Sequence, residues 1–163
     1  MTYNIDVVSH IYPVDANKLA AAAAIVMAAH ECKDSAGVSV RVTGNEEIQA
    51  LNRQYRSVDR PTDVLSFPAE RPPLPPDALA EAETHYLGDV VIAYPYTSTQ
   101  AVQLGHAPDD HLVLMVVHGV LHLLGYDHDT PQRRATMWEA QAHSLQALGV
   151  PLAVVPALET FNE

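Results

Sequence analysis

The chain is nearly free of cysteine: Cys32 is the single one in 163 residues. An internal disulfide is therefore excluded, the fold must rest on its core, and a reducing, cytoplasmic setting is expected. Cations are scarce too, with nine Lys and Arg against twenty Asp and Glu and a net charge of −11. That balance argues against a protein that coats nucleic acid by bulk electrostatics. Charge acts over only about 8 Å at physiological salt, so a local cluster still counts. Arg41, Arg53, Arg56 and Arg60 form one, diluted by Glu46, Glu47 and Asp59. Long apolar runs are also missing. LAAAAAIVMAA, residues 19–29, is too short to span a bilayer. Asp6 and Asp15 precede it with Lys18 as the only Lys or Arg, which does not fit a secretory leader. A packed helix is expected there, and no membrane partner.

What is present fits one domain over residues 1–163, since a chain of this size buries about two-thirds of the surface it exposes unfolded. TYNIDVV, rich in β-branched and aromatic residues, reads as a first strand. Asp15 heads an Ala-rich helix to about Cys32. VSVRVT, residues 38–43, alternates with period two and reads as a strand. Gly44 and Asn45 open a helix through Tyr55. After a turn at residues 60–63 comes VLSFP, a short strand whose apolar density suggests a buried place in the sheet. LGDVVIAY is a further strand, and residues 96–104 look helical.

Pro108 and Asp109 open a helix with LVLMVV in it, apolar on every side and so buried all round. Thr130 and Pro131 are an N-cap and first-turn pair. They start a last helix through about Leu148, with Met137, Leu145 and Leu148 as its core stripe. This order predicts an α/β fold, a small mixed sheet of about four strands packed by helices around a central buried one. Residues 69–86 are Pro-rich, cannot form a helix or central strand over their first half, and read as a mobile loop beside the site; residues 150–163 read as a tail.

The chemistry concentrates in HGVLHLLGYDH, residues 118–128. His118 and His122 are four apart, so on a helix they share a face. Leu124 and Gly125 end the apolar run, and Gly suits the left-handed backbone with which helices stop and reverse. The chain can then bring His128 to the pair. Three neutral imidazoles suit zinc and leave a fourth tetrahedral position open, the arrangement of a catalytic rather than a structural ion. Such an ion keeps its full charge and lowers the pKa of bound water to about 7. Asp127 is a candidate to orient a ligand imidazole or act as base, with a plain turn residue as the alternative.

The spacing H-x-x-x-H-x-x-G-x-x-H is also that of the metzincin peptidases. Those enzymes carry Glu directly after the first His as general base, and here Gly119 stands there. A binding module with a structural metal is the alternative of another class; Cys32 is the only thiol that could close the fourth position.

At these residues the chain resembles the YbeY family, bacterial rRNA maturation factors described as metal-dependent single-strand endoribonucleases. LNRQYRSVDRPTDVLSFP, residues 51–68, and LGDVVIAYP, residues 87–95, carry the resemblance further, so that it runs from about residue 40 to residue 145. It implies a zinc-dependent endoribonuclease acting on single-stranded RNA in rRNA maturation and ribosome quality control. The ribosome or its assembly factors would be partners, and no DNA is expected. The metal ligands would be His118, His122 and His128. Arg56 would stabilise the charge that builds on phosphorus, with His118 and Asp127 beside it as catalytic candidates. Among weaker candidates, Asp63 shapes the turn after Thr62, Ser66 points into the cleft, and Tyr126 or Phe67 stacks an unpaired base. His106, His111 and His143 match no motif.

Overall fold

Alternation along the strands decides which helices cover which face of the sheet. The computed structural model describes residues 3–69 and 86–151, so the Pro-rich stretch and the tail lie almost wholly outside the described residues. The strands are β1 (Asn4–Ser9), β2 (Gly37–Thr43), β3 (Val64–Pro68) and β4 (Tyr86–Ala93), and they form one sheet in the order β1-β2-β4-β3. β1 and β4 run parallel to β2, and β3 runs antiparallel to β4. The helices among the described residues are α1 (Ala16–Ala29), α2 (Asn45–Arg56), α3 (Tyr94–Leu104), α4 (Pro108–Leu123) and α5 (Pro131–Ala147). The expected α/β fold with a small mixed sheet is the one observed.

Val40, Val42, Val64, Val90 and Ile92 face a core shared with α1, α4 and α5. Their neighbours Leu65, Val91 and Ala93 point the other way, against Ile48 of α2. Side chains that alternate across a strand allow two covered faces. VLSFP is buried at Val64 and Leu65, and yet it forms the sheet's edge, because β4 lies between it and the parallel pair. Its apolar density is accounted for by burial on both faces at Val64 and Leu65, which period-two reading cannot tell from a central position.

Helix α4 is buried without a break from His111 to Leu121 and packs against α1, α3, α5, β3 and β4. Asp109 and Asp110 sit in its first turn and His122 in its last, charges and polarity placed as the helix dipole favours. Gly119 is where α4 meets the sheet most closely. A Cβ there would stand 2.6 Å from Val90 Cγ1, 3.0 Å from Val90 Cγ2 and 3.3 Å from Ser66 Oγ. The hydroxyl of Ser66 donates to the Gly119 carbonyl at 3.0 Å, tying helix to edge strand.

A second polar tie is fully buried. His111 Nε2 donates to Gln100 Oε1 at 2.6 Å, Gln100 Nε2 to Asp63 Oδ2 at 3.5 Å, and Val64 N to Asp63 Oδ1 at 2.7 Å. The chain of bonds links α4 and α3 to the start of β3. His111 Nδ1 has no hydrogen-bond partner. Burial, reinforced by nearby His106, lowers the His111 pKa to about 4.

Overpacking a close-packed contact costs typically about 1–3 kcal/mol, while Ala gains up to about 1 kcal/mol over Gly in helix propensity. Gly119→Ala should therefore lower the unfolding free energy by about 1–2 kcal/mol in urea titration. The additional change Val90→Ala should cost less in that background than alone; strict additivity would show that the close approach does not limit packing. For His111 the unfolded state takes up a proton near pH 6.5 and the folded state only near 4, so its contribution is complete above pH 6.5 and is lost as pH falls towards 4. Between pH 7 and pH 5 the protein should lose about 2 kcal/mol of stability through this group. His111→Gln should flatten that slope, and an unchanged slope would assign it to other groups.

Candidate metal centre

One turn separates His118 and His122 on α4, and hydrogen bonds on the far side of each ring fix which nitrogen faces the other. His118 Nδ1 donates to Gln141 Oε1 on α5 at 2.6 Å, and His122 Nδ1 donates to the Tyr126 carbonyl at 2.9 Å. Both partners are acceptors, so in the neutral rings both Nε2 atoms carry lone pairs. Those two atoms face each other at 3.0 Å. Lone pairs at that distance repel unless a cation or a proton lies between them.

The chain after α4 supplies the third ring. Gly125 takes φ +102°, in the left-handed region that glycine tolerates, and Tyr126 N closes onto the Leu121 carbonyl at 3.0 Å. Asp127 Oδ1 accepts from His128 N at 2.8 Å and holds the returning loop. The ligand nitrogens of His118, His122 and His128 lie within 4.8 Å of one another. Two nitrogens bound to one tetrahedral zinc at 2.0–2.1 Å stand about 3.3 Å apart, close to the spacing of the first pair. The donor set fits a metal ion, and among the described residues no Cys, Asp or Glu joins it. Cys32 is elsewhere, just beyond α1, and burial pushes its thiol pKa up.

His122 and His128 open onto a cleft of about 780 Å³, while His118 is fully buried beneath it. Arg56, Ser66, Tyr126 and Asp127 also line the cleft. Arg56 ends α2, whose chain leaves through Ser57 at φ 59°. Of the other arginines of its cluster, Arg41 pairs with Glu47, and Arg53 pairs with Asp59 at 3.6 Å. Among the described residues Arg56 has no ion pair. Ser66 lines the cleft and turns its hydroxyl to the Gly119 carbonyl of α4. Its neighbour Phe67 faces the opposite side of the sheet, edge-on to Tyr55 with centroids 5.1 Å apart; strand alternation takes it away from the histidines. Thr62 and Asp63 are buried, Asp63 in the His111 network. Tyr126 OH meets His30 Nε2 at 2.9 Å.

Three residues around the centre went unnoticed in the sequence. Gln141, with no exposed surface, orients His118. Trp138 lies edge-on to both His118 and His128, with centroids 6.0 and 5.6 Å away. Arg133 lines the cleft. Gln141 had a signal: it stands four residues after Met137 and four before Leu145, a polar side chain on the apolar stripe of α5.

Comparison with known proteins agrees with this geometry. Residues 6–149 match the family Endoribonuclease YbeY. The Endoribonuclease YbeY of Chloroflexus aurantiacus is 39% identical over 153 residues, covering 93% of this chain and 99% of the relative. That of Halorhodospira halophila is 46% identical over 114 residues, 70% of this chain and 71% of the relative. A protein of Thermotoga maritima solved in solution shares the fold, with a TM-score of 0.59 at 23% identity over 96% of this chain and 95% of the other. The chain belongs to the Endoribonuclease YbeY family.

Proposed function

We propose that the protein is a zinc-dependent endoribonuclease that cuts single-stranded RNA. The observation that carries this is the pair of Nε2 atoms held 3.0 Å apart, with His128 beside them at the floor of an open cleft. When bound, zinc supplies Lewis acidity towards a phosphoryl oxygen and lowers the pKa of a bound water to about 7. His118, His122 and His128 hold the ion, and Gln141 and the Tyr126 carbonyl keep two of their rings turned towards it. Arg56 on the cleft wall offers a guanidinium to the phosphate oxygens as charge builds there. Asp127 spends one carboxylate oxygen on His128 N–H, and the other is the proton acceptor we assign to the cleft. Ribosomal RNA, met in the cytoplasm during maturation or quality control with ribosome-assembly factors as partners, is the substrate that the family membership favours.

Two observations set this reading above its alternatives. A peptidase of the same histidine spacing needs Glu at position 119, where a side chain would begin inside Val90. A purely structural ion would be closed by a fourth ligand, and the described residues offer none.

The test is cleavage of a labelled single-stranded RNA with metal content measured on each sample. His118→Ala should lose both zinc and cutting, whereas activity in a metal-free sample would overturn the mechanism. Arg56→Ala should keep its zinc and lose about 100-fold or more in rate, the usual effect of removing one donor to a developing negative charge. An unchanged rate would return Arg56 to the role of a solvated surface charge. Gln141→Leu should weaken zinc binding by about 10–100-fold in competition with a chromophoric chelator, the range for lost partners of metal-bound histidines. Gln141→Glu, which preserves an acceptor, should not.

A further inference from the structure

Besides Arg56, the cleft is lined by a second guanidinium, Arg133 on α5. Its position is unfavourable by local rules. It stands in the first turn of a 17-residue helix that has no acid there, where the macrodipole opposes a cation. Sequences break such rules most often where function requires it. The partial remedy is Asp129, whose Oδ2 and Oδ1 lie 3.1 and 3.3 Å from the same Arg133 nitrogen, Nη1. No other hydrogen bond to this guanidinium occurs among the described residues, so Nη2 and Nε keep donors to spare. The backbone beneath is fixed, because Arg133 N donates to the capping Thr130 Oγ1 at 3.1 Å. Both side chains of the pair are largely exposed, at 64% and 52%, and an exposed pair of this kind binds weakly. An arriving anion can share or displace the carboxylate.

We infer that Arg133 is a second phosphate contact in the cleft, taking an RNA phosphate that flanks the one beside Arg56. Asp129 is an internal competitor that holds the guanidinium until RNA arrives. A carboxylate beside the contact would also limit the site to ligands with enough phosphate charge to displace it. The inference rests on the ribonuclease reading and adds a position to it.

Anisotropy of a labelled oligouridylate, titrated with zinc-loaded protein over a series of salt concentrations, tests it. Arg133→Gln should bind about tenfold more weakly at low salt, as expected for one lost hydrogen bond to a charged group. Its log–log salt slope should fall by about 0.7, the value for one phosphate of a single strand. Asp129→Asn should change affinity in the opposite direction, tightening it about threefold, within the range of an exposed ion pair. The double variant should match Arg133→Gln, because the competitor matters only while the arginine is present. Zinc content measured on all four proteins separates these effects from damage to the metal centre. Wild-type affinity and slope in Arg133→Gln would overturn the inference, as would weaker binding by Asp129→Asn, which would make the pair a structural tie. Wild-type protein that binds no RNA would overturn the ribonuclease reading itself.

Discussion

Two ring nitrogens held 3.0 Å apart by hydrogen bonds on their far sides set the terms for the rest of this structure. Burying an imidazole costs free energy unless its nitrogens are satisfied, and His118 is buried completely. Gln141 meets that demand on one side, so α5 must pack against α4 at that level. The Tyr126 carbonyl meets it for His122, so the chain must turn back sharply at Gly125. Closure of that turn is also what carries His128 to the pair. The helix, its partner and the loop answer to one requirement.

The sheet answers to it from the other side. Gly119 lets α4 sink onto β4 until no Cβ would fit, and Ser66 fastens the helix to β3. Because β3 is the edge strand, the face that it shares with α4 ends in open space. The cleft is therefore where the sheet stops, beside the histidines and within reach of Arg56 at the end of α2. An acidic protein can bind a polyanion at such a place because screening confines the field to about 8 Å. Arg41 and Arg53 are paired to acids, while Arg56 lines the cleft.

Much of this could be read from residues alone. The buried helix was legible because LVLMVV has no polar face, and the turn because Gly125 follows an apolar run. His118, His122 and His128 were legible as a group because the helix period and the glycine together dictate their meeting. The edge position of β3 was not. Burial on both faces and burial within a sheet leave the same apolar letters, and strand order depends on pairings distant in sequence. Gln141 and Arg133 were overlooked for different reasons. Gln141 makes sense only against His118, 23 residues away. Arg133 resembles any surface cation until the fold places it in the cleft.

Two His–Gln pairs on the same helix show how little the local motif says by itself. His111 and His118 are both buried on α4, and each gives one ring N–H to a glutamine oxygen at 2.6 Å. For His111 the remaining nitrogen faces no hydrogen-bonding group, and burial holds the ring neutral. Its chain of bonds runs through Gln100 to Asp63 and locks α3, α4 and β3 together. For His118 the remaining nitrogen meets His122 one turn further on and His128 from the returning loop. Both rings incur a similar desolvation cost, yet one offsets it by tying elements together and the other by converging with two more nitrogens below a cleft. What separates a structural histidine from a candidate metal ligand here is the surroundings of its second nitrogen, and those are set by a glycine turn seven residues after His118.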